Sequence, residues 1–183
     1  MKLSLCLAVC VLFVASGAMA VEMGVIETGG SATFHLSPEP WQLNANMYLL
    51  YYMSNMLGIG PFWSLTKTGT YDVGDDKIET PTFYTVGAMG KIYLPIALMQ
   101  GKMTPFVSAG FGLTAITKFD DETKTESKGT IEAKVGFDYW LTDKWTVWGA
   151  FEADKLMVDK DKYGDMGDWN SSFRVGIATF IMK

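Results

Sequence analysis

The sequence predicts an all-β protein: an eight-stranded antiparallel transmembrane up-and-down β-barrel, with short turns at one end and longer loops at the other. Three observations carry this reading. Apolar residues recur with a period of two through most of the chain beyond residue 20. Charged residues collect on the strand face opposite the apolar one. The connections between these segments alternate between short and long.

Composition sets the outer bounds. The chain has 183 residues, a length for one domain, and its 49% hydrophobic and 19% charged content excludes a disordered chain. Fifteen basic residues against 20 acidic give a net charge of −5, which argues against a nucleic-acid partner.

The first twenty residues read as a secretory signal peptide. Met1-Lys2 is a short positive start, Leu3 to Val14 is an apolar run, and Ala18-Met19-Ala20 is a small-x-small cleavage site. The run is too short for a membrane anchor and has no charged stop after it. A lipoprotein signal around Cys10 is rejected because Val9 is too large and the apolar run continues past the cysteine. The expected organisation is therefore a signal peptide at 1–20 and a barrel domain at 21–183. Both cysteines, Cys6 and Cys10, lie in the leader, so disulfides and thiol chemistry are excluded from the mature chain.

The clearest strand runs from Thr130 to Leu141. Its odd positions are Ile131, Ala133, Val135, Phe137, Tyr139 and Leu141, and its even positions include Glu132, Lys134 and Asp138. The same alternation marks strands from Leu57, Tyr84, Pro105, Trp145 and Ser171. Segments near Ile26 to Leu36 and Gln42 to Tyr52 alternate less cleanly. Met53-Ser54-Asn55 and Thr142-Asp143-Lys144 read as tight turns, and Pro95 to Met103 as a longer one. Lys67 to Glu79, Lys118 to Lys128 and Lys155 to Asp168 read as long polar loops. This alternation is that of a membrane barrel, with both termini at the short-turn, periplasmic end.

In lipid a sheet must close, because edge hydrogen-bonding groups cannot be left unpaired. The apolar face of the six clear strands carries no Asp, Glu, Lys or Arg. The opposite face carries Lys91, Glu132, Lys134, Asp138, Glu152, Asp154 and Arg174. A soluble barrel would show the inverse, apolar inside and polar outside. Aromatic girdles are expected at both interfaces. Tyr51, Tyr52, Tyr93, Tyr139, Trp140 and Trp145 are assigned to the short-turn side. Phe34, Trp41, Trp63, Phe83, Phe119 and Trp169 are assigned to the loop side.

The order of several stretches resembles the small eight-stranded outer-membrane barrels of the OmpX/OmpA type. They are Phe34-His35-Leu36-Ser37-Pro38, Tyr51 to Gly60, Met103 to Gly112, and Val135 to Lys144. The resemblance covers nearly the whole mature chain and implies a shared fold rather than one activity. It implies the cell outer membrane as location, with outer-membrane lipid and lipopolysaccharide as surroundings and the barrel-assembly machinery as partner during biogenesis. Such barrels usually end in an aromatic residue; here Phe180 is followed by Ile181-Met182-Lys183.

An eight-stranded barrel is just wide enough for its own side chains, which argues against a wide channel. Lys134, Glu152 and Arg174 fall at similar depth on successive strands, with Glu132 close by. They are expected to form a structural ion-pair network that plugs the lumen, since an unpaired charge there would be costly. His35, the only histidine, lies near Ser31 and Ser37, but sequence proximity supplies no catalytic geometry. Asp159 to Gly164 resembles the start of a calcium loop, yet Tyr163 and Asn170 stand where ligands are required. No catalytic, metal or cofactor site is assigned, and no cofactor is expected. The twelve methionines read as lipid-facing or gap-filling residues.

The expected function is that of a non-enzymatic outer-membrane barrel of a diderm bacterium, acting in envelope integrity or in surface interaction through its loops. One alternative is a narrow channel or transporter for small or hydrophobic molecules. A second is a lipid A-modifying enzyme that would use His35.

Overall fold

The computed structural model describes residues 21–35, 42–69, 71–73, 76–78, 82–96, 98–117, 125–158 and 169–181. The leader at 1–20, Trp41, Phe119 and the Asp159 to Gly164 stretch lie outside the described residues. The strands are β1 (Ile26–His35), β2 (Gln42–Tyr52), β3 (Leu57–Thr68), β4 (Tyr71–Val73), β5 (Asp76–Ile78), β6 (Thr82–Tyr93), β7 (Met103–Thr117), β8 (Thr125–Thr142), β9 (Trp145–Met157) and β10 (Trp169–Ile181).

Eight of these close into one antiparallel barrel in the order β1-β10-β9-β8-β7-β6-β3-β2. Each strand of the barrel lies beside its sequence neighbours, and β1 meets β10 to close the sheet. That closing ladder is short. It runs only from Ile26 opposite Ile181 to Gly30 opposite Ile177, whereas β7 and β8 pair from Met103 opposite Tyr139 to Thr117 opposite Thr125.

Alternation sorts the side chains as the period of two requires. Val86, Phe111, Val135, Phe151, Val175 and Ile177 are exposed on the outside. Phe151 and Phe173 pack edge to face there, with ring centroids 5.1 Å apart. Residues of the other parity, among them Tyr52, Lys91, Tyr93, Asp138 and Glu152, are buried on the lumen side. Among the described residues no helix is long and apolar enough to cross a membrane; the apolar belt belongs to strands.

The short turns are fixed by hydroxyls. Ser54 Oγ accepts from the backbone N–H of Met56 and Leu57, and Thr142 Oγ1 accepts from those of Lys144 and Trp145. Such side-chain acceptors replace ladder bonds where the chain reverses. Between β6 and β7 a single 3-10 turn, Met99–Gly101, takes three successive positive φ values of 50°, 60° and 85°. Only Gly101 adopts such a value without steric cost.

The loop side departs from the sequence expectation in two ways. Part of the stretch read as a polar loop from Lys67 to Glu79 is a small hairpin, β4 with β5, pairing Tyr71 with Ile78 and Val73 with Asp76. The long ladders also continue into segments read as loop. Glu126 and Ser127 of β8 pair with Ile116 and Ala115 of β7, and β9 runs on to Met157. Apolar alternation marks the layer where the outside must be apolar. Backbone pairing needs no such pattern and continues past it.

Several expected girdle aromatics face inward instead. Tyr52 and Tyr93 are fully buried and Trp140 packs against the interior cluster, while Phe83 lines a lumen cavity. Tyr51 and Trp145 at the short-turn end, and Trp63 and Trp169 at the other, do face out.

Candidate lumen site

The lumen divides by depth. Its short-turn half is packed solid around one ammonium and two carboxylates. Glu27 of β1, Lys91 of β6 and Asp138 of β8 are no more than 2% exposed. Lys91 Nζ lies 2.7 Å from Glu27 Oε1 and 2.7 Å from Asp138 Oδ2. The second negative charge is met by hydroxyls. Tyr48 donates to Glu27 Oε1 at 2.7 Å and Tyr52 to Glu27 Oε2 at 2.5 Å. Tyr93 donates to Asp138 Oδ2 at 2.6 Å, and Thr146 to Asp138 Oδ1 at 3.4 Å. Short, charge-assisted bonds of this kind are what make a buried charge cluster tolerable.

Aromatic rings wall the cluster. The Lys91 ammonium sits 4.4 Å from the Phe106 ring centre and 4.7 Å from that of Tyr93. Tyr52 stacks on Tyr93 at 5.9 Å, and Trp140 lies on Phe180 at 4.7 Å. Val21 and Val25 pack into the same cluster from below β1. Gly29 and Gly176 allow Tyr48 and Trp148 to lie against the barrel wall, since a Cβ at either position would collide with those rings.

The long-loop half is different. It holds a cavity of about 620 Å³ lined by residues from all eight barrel strands. The expected filled lumen therefore applies to one half only. One wall is a row of hydroxyls in which Thr85 and Thr114 bond at 2.7 Å, and Thr114 and Thr130 at 2.5 Å. Three of the four residues assigned from sequence, Glu132, Glu152 and Arg174, line the cavity, and Lys134 lies against two of them. Lys134 Nζ stands 3.3 Å from Glu132 Oε1 and 3.4 Å from Glu152 Oε2, and an Arg174 guanidinium nitrogen stands 3.1 Å from Glu152 Oε1. The register brings Lys134 opposite Glu152, and Arg174 reaches Glu152 diagonally from β10.

Glu132, Lys134, Glu152 and Arg174 are thus brought together as one cluster. The deeper cluster was not assembled by sequence reasoning, although Lys91 and Asp138 were read as inward-facing. Its missing member, Glu27, lies in the strand that alternates least cleanly. Between the two clusters, Asn46 Nδ2, Ser31 Oγ, Ser108 Oγ and Trp148 Nε1 are buried without a hydrogen-bond partner. Ser31 and His35 both belong to β1. Four residues of strand separate their backbones by about 13 Å, which does not suit a nucleophile-base pair. Ser37 lies outside the described residues.

No protein-family model matches the chain, and no curated protein matches it either. Solved structures do. The N-terminal β-barrel domain of Pseudomonas aeruginosa OprF aligns with a TM-score of 0.56 at 10% identity, over 87% of this chain and 98% of that one. Neisserial surface protein A aligns with a TM-score of 0.55 at 12% identity, over 85% and 93%. The Yersinia pestis outer-membrane protein Ail in a phospholipid nanodisc aligns with a TM-score of 0.51 at 12% identity, over 87% and 100%. With its closed eight-strand sheet, polar lumen and apolar exterior, the chain has the fold of the small eight-stranded outer-membrane β-barrels.

Proposed function

We propose that this protein resides in the outer membrane after signal-directed export and acts there as a non-enzymatic surface barrel. Its lumen is sealed, and its long loops serve envelope integrity or contact outside partners. The observation that carries this reading is the pairing of an apolar exterior with the packed Glu27-Lys91-Asp138 cluster across the lumen. A lipid-facing belt favours insertion, and a fully buried plug opposes passage. Lipid and lipopolysaccharide surround the barrel in this reading, and the assembly machinery inserts it.

The test combines membrane fractionation, gel mobility before and after heating, and planar-bilayer conductance. The expected result is an outer-membrane protein with a heat-modifiable band and no discrete conductance steps. A soluble protein without a mobility shift would overturn the location. Reproducible conductance by the purified barrel would overturn the sealed lumen and favour the channel.

A further inference from the structure

We propose that the upper seam between β1 and β10 is a lateral port, through which the uncharged, hydroxylated headgroup of a single-chain amphiphile enters the long-loop cavity while its tail stays in the membrane. The port rests on the reading that lipid surrounds the barrel, and it leaves the seal beneath the cavity intact.

The ladders supply the first reason. β1 pairs with β2 as far as His35, and β10 pairs with β9 as far as Trp169. Between themselves, β1 and β10 pair only up to Gly30 and Ile177. The register would next bring Ala32 opposite Val175, and that pair is not formed. Beyond Gly30 and Ile177 each strand is therefore paired on one side alone. Lipid offers the freed backbone groups no hydrogen-bonding partner, whereas a polar group entering between the strands does.

The cavity supplies the second reason. Among the described residues, seven strands border it only with residues of inward parity, such as Thr33 of β1 and Glu152 of β9. β10 borders it with five consecutive residues, Asn170 to Arg174, so both faces of that strand meet the cavity. Phe173 is one of them, yet its ring packs on Phe151 at the exposed outer surface. A side chain that borders the cavity and the exterior at once stands at an opening between them. Ser172 has inward parity and is nevertheless exposed. At the foot of the opening, Ser31 and Asn46 are cross-strand partners, and Ser31 Oγ and Asn46 Nδ2 are buried without a hydrogen-bond partner.

The rim selects the occupant. On the outside, Phe151, Phe173 and Val175 are apolar and exposed. Toward the cavity, Thr33, Asn170, Ser171 and Ser172 offer hydroxyls and an amide. This order, apolar then hydroxylated, matches the tail and head of an amphiphile. Glu132, Glu152 and Asp154 repel an anionic head. Lys134, Arg174 and Asn170 already engage those carboxylates, so they call for no further cation. A volume of about 620 Å³ accommodates a small polyol head.

Two experiments on the barrel refolded into phosphatidylcholine bicelles test the port. Residues 21–183 contain no cysteine, so introduced thiols report on the seam alone. Ala32→Cys combined with Val175→Cys should resist oxidation to a disulfide, which bridges only closely apposed strands. Thr28→Cys combined with Thr179→Cys, within the formed ladder, should oxidise readily. The second experiment follows backbone amide NMR shifts on addition of monoolein, oleate or free glycerol. Monoolein should shift the amides of Asn170 to Arg174 saturably, with an affinity at least about tenfold above that of oleate or glycerol. Ser172→Leu, which keeps the heat-modifiable band, should weaken monoolein binding by about fivefold or more; should that variant not fold, Thr33→Val takes its place. In an inserted barrel the port is overturned by ready oxidation of the Ala32→Cys and Val175→Cys pair, by no saturable shift with monoolein, by equal affinity for oleate or glycerol, or by folded variants that bind as tightly as the original. A barrel that does not enter the bicelles overturns the membrane location and the port together.

Discussion

The two halves of the lumen solve the same problem in opposite ways. Both place carboxylates and cations inside a barrel whose outside is apolar. In the short-turn half the charges are almost wholly buried, bonded at 2.5 to 2.7 Å in the main contacts, and sealed by rings. In the long-loop half the ion pairs are looser, 3.1 to 3.4 Å, and border a cavity. Dry charges must be satisfied by protein groups, whereas charges beside a polar cavity can be served by what enters it. The first arrangement is a structural lock. The second is chemically available.

The sharpest test of this contrast is Lys91→Met. It removes the ammonium and leaves Glu27 and Asp138 as buried charges near each other, so a loss of about 3–5 kcal/mol is expected. Urea unfolding of the refolded barrel, followed by tryptophan fluorescence, measures it. A loss below about 1 kcal/mol would show that the deep cluster is no more demanding than an exposed ion pair.

Tyr52→Phe should have the next largest effect. It deletes only a hydroxyl, but Glu27 Oε2 then loses its buried donor, at a cost of about 1–3 kcal/mol by the same assay. The smallest effect is expected from Lys134→Met. Its ion pairs are long and Arg174 still pairs with Glu152 when it is gone, but the side chains of Lys134, Glu132 and Glu152 are all buried, so about 1–2 kcal/mol is expected, falling somewhat as salt is added because both carboxylates line the cavity. If Lys134→Met costs as much as Lys91→Met, and salt leaves both unchanged, the distinction between a dry and an open half is wrong.

The exterior and the floor of the cavity were legible in the sequence because both follow from strand parity. Val135, Phe151 and Val175 on one side, and Lys134, Glu152 and Arg174 on the other, are sorted by a period of two alone. The same parity places Tyr93 with Lys91, and Tyr52 with Tyr48. Their assignment to an outer girdle gave strand-end position priority over face. Tyrosine carries both an apolar ring and a hydroxyl donor, so it suits an interface and a buried carboxylate equally well. Parity was the better guide. Glu27 was harder to place. It pairs with Leu50 on one side and Phe180 on the other, and neither neighbour advertises a charge. Its partners come from β2, β6 and, through Lys91, β8, so only the closed barrel brings them together. The cavity was illegible for a related reason. Its volume depends on how many small hydroxyl and amide side chains face inward at one depth, which requires register between all eight strands.

The short seam between β1 and β10 has a kinetic consequence. Joining Ile26 to Ile181 closes nearly the whole described chain into one loop, and contacts of that sequence separation form late because the entropy of closing must be met first. Lys91 and Asp138 lie 47 residues apart and belong to the strands between, so they can meet before closure. Glu27 lies 64 residues from Lys91, on the strand that forms the seam. Its arrival gives Lys91 a second carboxylate and gives Tyr48 and Tyr52 their acceptor. A seam with few backbone pairs is thus fastened by a bolt that slides home from within, and opening it requires extracting a charge from its sheath of aromatic rings.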